Sequence, residues 1–262
     1  MRWSKDNGRE ATVPGAEIFL GRQTADGKTR GKRRRSFSPA IAVLFPLLAV
    51  FPALAQAPPA PGASRFVVVL DAAHGGDDPG AKLGKQAEKN LTLALSVKLR
   101  SLLVARGIAV VTTRESDANM DALARAEIAN RANAAACLDL HMAPASAKNL
   151  PTVHLFLSSL PAANDVRLAP WQTAQAAWIP RSTALARLLH SALTQAGVLV
   201  TLGRTPLPGI DSMTCPAVAV EIAPQEDTAG AEDDFEARVL EALAAALVEW
   251  RSDAGRLGES QP

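Results

Sequence analysis

Short runs of branched apolar residues alternate along this chain with longer stretches whose apolar positions recur every three or four residues. Residues 65–71, RFVVVLD, form the first run. Consecutive valines of this kind predict a strand buried on both faces. Residues 108–113 (IAVVTT), 137–141 (CLDLH), 153–158 (VHLFLS) and 217–222 (AVAVEI) repeat the signal. Between them the period changes to that of a helix. Over 88–106, Leu91, Leu95, Leu99 and Leu102 share one face, and Gly107 stops the segment. Further helices are predicted over 121–134, over 181–196 with Leu185, Leu188, Leu189 and Leu193 inward, and over 232–250. Strands alternating with helices predict an α/β fold: a single domain with a mostly parallel twisted sheet flanked by helices. In such sheets, functional residues gather beyond the carboxyl ends of the strands.

Charge and composition divide the chain before that domain begins. Residues 1–35 carry 10 Lys/Arg against 4 Asp/Glu, and the remainder carries 18 against 22, so the folded part is mildly acidic. Nucleic-acid binding, which needs a basic folded surface, is not expected. Lys32, Arg33, Arg34 and Arg35 precede an apolar run over 39–55 that ends Ala53-Leu54-Ala55. This reads as a signal peptide behind a long basic leader, together spanning 1–55. Arg34-Arg35-Ser36-Phe37 also fits the twin-arginine pattern, beside the reading of a plain basic n-region. The competing reading is a membrane anchor. The run is short for a span and holds Pro46 and Pro52, so no stable membrane span is expected after cleavage. Residues 56–64, QAPPAPGAS, read as a Pro/Ala-rich linker, 65–251 as the folded domain, and 252–262 as a flexible C-terminal tail. The product is expected to be periplasmic or secreted. Cys137 and Cys215 are the two cysteines. In an oxidising compartment they either pair or remain as two buried thiols.

Four residues near strand ends carry candidate chemistry. His74 follows the first strand inside Asp71-Ala72-Ala73-His74-Gly75-Gly76, Glu88 opens a helix 14 residues later, His141 ends the third strand, and Glu221 sits in the last. Taken singly, each has a structural reading: a loop histidine, a charge at a helix N-terminus, a satisfied strand histidine. A carboxylate inside AVAVEIA is costly to bury unless paired or functional. A hydrolytic zinc site needs three protein ligands with one position left open, and a separate carboxylate to move the proton.

Read in order, these motifs resemble the zinc-dependent N-acetylmuramoyl-L-alanine amidases of bacterial cell walls. The family pattern D-x-G-H-G-G-x-D-x-G followed by E-K is here DAAHGGDDPGAKLGKQAEKN. A strand ending Thr113-Arg114, a helix with Arg125 to Asn130, a strand ending Asp139-Leu140-His141-Met142-Ala143, and Pro216 to Glu221 follow in the family's order. The resemblance implies one zinc ion held by His74, Glu88 and His141, with Glu221 as the catalytic general base and acid. It implies peptidoglycan as substrate, cleaved by zinc-activated water at the amide between N-acetylmuramic acid and L-alanine of the stem peptide. It leaves room for a protein activator. A non-catalytic peptidoglycan-binding regulator, or a zinc peptidase acting within the stem, are the competing functions. Ala72-Ala73 stands where the family has Pro-Gly, and IAPQED after Glu221 replaces a usual G-F-x-S-N segment. His154, alternating with Phe156, reads as structural. Arg114 and Arg125 read as braces or substrate contacts. Trp171 and Trp178, between Pro161 and Pro180, read equally as a glycan platform or as a cap on the core.

Overall fold

The computed structural model describes residues 66–144, 150–163, 170–225 and 231–259; the expected leader and linker lie outside them. The chain enters as β1 (Val67–Ala72), makes a small hairpin of β2 (Lys82–Leu83) and β3 (Gln86–Ala87), and continues into α1 (Glu88–Ala105). Then come β4 (Ala109–Thr112), α2 (Ala122–Arg131), β5 (Ala136–Met142) and β6 (Thr152–Ser158). A 3-10 helix (Trp171–Ala177) leads to α3 (Ile179–Gln195), β7 (Leu199–Thr205), the short α4 (Pro208–Asp211), β8 (Ala217–Ala223) and the closing α5 (Ala231–Glu259). These elements belong to one compact unit. None of the helices among the described residues is long and apolar enough to cross a membrane.

The six-stranded sheet has the order β4-β1-β5-β8-β6-β7. All neighbours run parallel except β6 and β8, which are antiparallel. The expected α/β architecture with a mostly parallel sheet is therefore present. One face is aliphatic: Val68, Leu70, Leu138, Leu140, Val153, Leu155, Val218 and Val220 pack beneath α1, α3 and α5. Leu95, Leu99 and Leu103 of α1 and Leu185, Leu189 and Leu193 of α3 supply the facing stripes. The other face is made of small residues. Ala217, Ala219 and Cys137 pack with Ala126 and Ala129 of α2 and Ile210 of α4. Among the described residues, this cover leaves His141, His154 and Glu221 partly exposed at the carboxyl end of this face.

Three elements differ from the sequence expectation. β7 is an edge strand with most of its side chains at least partly exposed, so it lacks the apolar run that marks the inner strands. α2 begins at Ala122 because Asp121 caps it, accepting from the Ala124 amide at 2.8 Å. α5 continues to Glu259, so most of the stretch 252–262 expected as a flexible tail is helical.

Of the two readings for Cys137 and Cys215, the structure carries the disulfide, with the Cα atoms 6.4 Å apart. It ties β5 to the segment entering β8, the two strands that bear His141 and Glu221. The bond closes a separation of 78 residues. The Cys137→Ser/Cys215→Ser double variant should therefore lose about 2–4 kcal/mol of unfolding free energy. Urea melts at neutral pH measure this; an unchanged midpoint would contradict it.

Candidate metal centre

β1, β5 and β8 are consecutive in the sheet and point the same way, so their carboxyl ends form one rim. His74 lies just past the end of β1. His141 lies on β5 with Glu221 of β8 as its register partner. Because β6 runs the other way, its first residues reach the same rim, and His154 is the partner of Glu221 on the far side. One register row thus reads His141, Glu221, His154.

Glu88 sits at the centre of the candidate ligand set, 4% exposed at the first position of α1. Its Oε2 is 3.1 Å from His74 Nε2 and its Oε1 is 3.0 Å from His141 Nδ1. The carboxylate also accepts from two backbone amides, Ala81 at Oε2 (2.8 Å) and Met142 at Oε1 (3.1 Å). One donor atom from each of His74, Glu88 and His141 lies within 4.8 Å of the others. A tetrahedral zinc ion with bonds of about 2.1 Å needs donors about 3.4 Å apart. The two Glu88–histidine separations are within a few tenths of an ångström of that, and two imidazoles with one carboxylate are a borderline-soft donor set suited to zinc. These residues fit the ion.

The ring nitrogens that face away from Glu88 are also partnered. His74 Nδ1 lies 2.8 Å from Asp78 Oδ2, and His141 Nε2 lies 3.3 Å from Asp139 Oδ2. Outer carboxylates of this kind fix the ring tautomer and orientation. Neither was singled out from sequence. Asp139 is two residues before His141 on a strand, a spacing that puts both on one face and was available as a signal. Asp78 lay inside the glycine-rich motif, without a spacing rule to assign it.

Charge follows from this network. Burial opposes the imidazolium of His141, but hydrogen bonds and the charges of Asp139 and Glu88 outweigh it and push the group up to about 10. Burial by itself raises Glu88, yet the His141 contact and the two amides bring it below the usual value. Asp78 is lowered, first by its bond with His74. Deeper down, Asp71 is pushed up to about 6 by burial and then by the charge of Asp139, against the pull of Arg125 and Thr113.

The loop that presents His74 is held from behind. His74 itself has φ 62, a left-handed conformation that is uphill for a residue with a side chain. Arg125 Nη2 donates to the His74 carbonyl at 2.7 Å, and Nη1 to the Ala72 carbonyl at 2.8 Å and Asp71 Oδ1 at 2.6 Å. Arg114 donates to the carbonyls of Ala72, Ala73 and Lys89. Both arginines are buried, so of their two readings the structure carries the brace. His154 is half-buried on the open face rather than packed in the aliphatic core. The segment with Trp171 and Trp178 leaves β6 at the opposite end of the sheet from this rim. There Gln175 donates to the carbonyls of Met213 and Cys215, and Trp178 is partly buried. Gln175 and Trp178 cap that end of the core, whereas Trp171 is exposed.

Two outcomes follow for metal binding. Gly80 has φ +65, and a Cβ there would lie 2.6 Å from His74 Cδ2 and 2.7 Å from Glu88 Oε2. Gly80→Ala should therefore spread the two ligands and lower zinc content while the fold, read by circular dichroism, persists. Equal zinc by mass spectrometry of metals in both proteins would refute this. The second outcome concerns protons. Ligand imidazoles must be neutral, and His141 is raised toward its protonated form in the metal-free protein. Acid therefore competes with the ion, and affinity should rise with pH by about tenfold per unit while one proton is exchanged. Calorimetry in two buffers of different ionisation enthalpy counts the protons released; none released would overturn the assignment.

The chain is similar to known proteins in sequence and in fold. The germination-specific N-acetylmuramoyl-L-alanine amidase of Bacillus subtilis (strain 168) is 42% identical over 57 residues, which is 22% of this chain. The match spans about a quarter (24%) of that relative's length. The catalytic domain of CwlV, an N-acetylmuramoyl-L-alanine amidase from Bacillus (Paenibacillus) polymyxa var. colistinus, has a similar fold, with TM-score 0.57 and 24% identity over 71% of this chain and 98% of that one. The CwlD amidase of Clostridioides difficile, solved in complex with the GerS lipoprotein, matches with TM-score 0.55 and 19% identity over 71% and 98%. Residues 68–249, from the first strand into α5, match the N-acetylmuramoyl-L-alanine amidase family, and the chain belongs to it.

Proposed function

We propose that this chain hydrolyses the amide between N-acetylmuramic acid and L-alanine of the peptidoglycan stem, with His74, Glu88 and His141 holding one zinc ion and Glu221 moving the proton. The observation that carries the reading is the convergence of the three ligands on an open rim with Glu221 in the adjacent register position.

A bound zinc ion would supply Lewis acidity, polarising the scissile carbonyl and making a water molecule acidic enough to react near neutral pH. The chain's own residues do the rest. Glu88, anchored by two amides, fixes where the two imidazoles converge. Asp78 and Asp139 hold the outward ring nitrogens, so both rings keep one orientation. The Glu221 carboxylate makes no hydrogen bond or ion pair with the side chain or backbone of another described residue, so its oxygens are the ones offered to substrate. One oxygen takes a proton from the attacking water and returns it to the nitrogen of the departing L-alanine. Without that transfer the amine would leave as an anion, a barrier that general acid catalysis removes.

The same reading places the enzyme in the periplasm or outside the cell. It is supported by the basic and apolar leader and by the disulfide, a bond that persists in oxidising compartments. A protein activator is part of the proposal, supported by the GerS complex of the C. difficile amidase.

The test is a digest of purified peptidoglycan by residues 56–262 with zinc, read by mass spectrometry. Stem peptides with a free L-alanine amine should appear beside peptide-free glycan strands, vanish with chelator and return with zinc. Glu221→Gln should lower the rate by about 10²–10⁴-fold with one zinc still bound. Cleavage elsewhere in the stem would replace this reading with a peptidase. Wall binding without products would replace it with a non-catalytic binding protein.

A further inference from the structure

His154 is the residue of the open rim that the proposed chemistry leaves unused. Its position follows from the single antiparallel pairing in the sheet. β6 pairs with β8 so that His154 faces Glu221, as Phe156 faces Ala219. Register partners in adjacent strands share a face with Cβ atoms about 5 Å apart. Val153, Leu155 and Leu157 point into the aliphatic core, so His154 and Phe156 point to the open face with Glu221.

The imidazole is fixed there by two contacts. Its Nδ1 lies 2.6 Å from Thr201 Oγ1, and Thr201 is its register partner on β7. Its ring stacks on Phe156 at 6.3 Å between centroids and 29° between planes. Phe156 is in turn backed by Gly203, where a Cβ would lie 3.2 Å from the ring. A side chain at that position would push Phe156, and His154 with it. The device is therefore a histidine whose Nδ1 is bonded, whose plane is set, and whose Nε2 has no hydrogen-bond partner among the described residues. The ring is thus held in the register row of Glu221, whose carboxylate also has no side-chain partner among the described residues.

We propose that His154 is a substrate-binding residue whose Nε2 hydrogen-bonds the peptide side of the scissile bond. The row order gives the direction, and this step rests on the function proposed above. The ligand set lies on one side of Glu221 and His154 on the other. The carbonyl oxygen is drawn to the ligand set, and the departing nitrogen must lie within reach of Glu221. Continuing the same line carries the stem peptide beyond L-alanine over His154. The ligand is thus the amide and carboxylate oxygens of the first two stem residues. In the tautomer in which Thr201 donates its hydroxyl proton to Nδ1, Nε2 carries hydrogen and matches those acceptors.

Two amide variants separate this role from a structural one. In His154→Gln the side-chain amide reaches the place of Nε2; in His154→Asn it reaches that of Nδ1 and keeps the Thr201 contact. A synthetic stem peptide beginning L-alanine-D-isoglutamate is titrated by calorimetry into zinc-loaded wild-type protein and both variants. KM and kcat are measured on the intact sugar–peptide substrate. The expected result is that His154→Asn weakens peptide binding and raises KM by about tenfold, the effect of one hydrogen bond. His154→Gln should stay within about threefold of wild type, and kcat should change little in either. Binding retained by Asn and lost by Gln would make Thr201 the purpose of the residue and overturn the inference, as would no peptide binding by the wild type. Peptide binding that depends on Nε2 in a protein that releases no stem peptide would sustain the inference and refute the amidase reading instead.

Discussion

The arrangement of the site rests on one buried carboxylate. An ionised Glu at 4% exposure is costly unless its oxygens are partnered, and Glu88 is partnered by groups from three separate parts of the chain. His74 comes from the loop after β1, His141 and the Met142 amide from β5, and the Ala81 amide from the hairpin just before α1. Glu88 also opens α1, where the helix dipole favours negative charge. No side chain caps that helix, but its first two amides are taken by the Ala81 and Pro79 carbonyls. The loop that shapes the ligand set therefore also terminates the helix, and neither can move alone.

That carboxylate positions the two imidazoles, and the arginine braces let one of them be presented at all. His74 occupies a left-handed backbone conformation, and Arg114 and Arg125 bind the carbonyls of Ala72, Ala73 and His74 that the turn exposes. A loop carbonyl without a partner in this buried setting would be costly. Lys89 adds a second tie from α1, donating to the Gly76 carbonyl and to Asp117. The loop is thus over-determined, as a strained functional backbone requires.

The two faces of the sheet divide the work. Leucine and valine fill the face under α1, α3 and α5, where most of the apolar burial lies. The small-residue face, with alanines and the disulfide under α2 and α4, holds the strands close while leaving their ends uncovered. The single antiparallel pairing brings the start of β6 to that open end, which adds His154 to the rim and sends the tryptophan segment to the other side.

What the amino-acid sequence determined by itself was set by local periodicity and by ordered motifs. Valine runs and leucine stripes are short-range patterns, so the inner strands and the long helices were legible, as was the α/β class that their alternation dictates. His74, Glu88, His141 and Glu221 were legible because strand ends in such folds converge and because their motifs stand in a recognisable order. Tertiary structure alone decided the rest. The direction of β6 depends on pairing across the sheet, which no local pattern in VHLFLS encodes, so His154 read as structural from sequence. β7 lacked a signal because Thr201, Gly203 and Arg204 interrupt its apolar residues and most of the strand is exposed, whereas β4 at the other edge is a continuous half-buried run. The roles of Arg114, Arg125 and Asp139 and the pairing of Cys137 with Cys215 depend on contacts between residues distant in the chain. Such contacts are fixed only when the whole sheet has closed around its buried carboxylate.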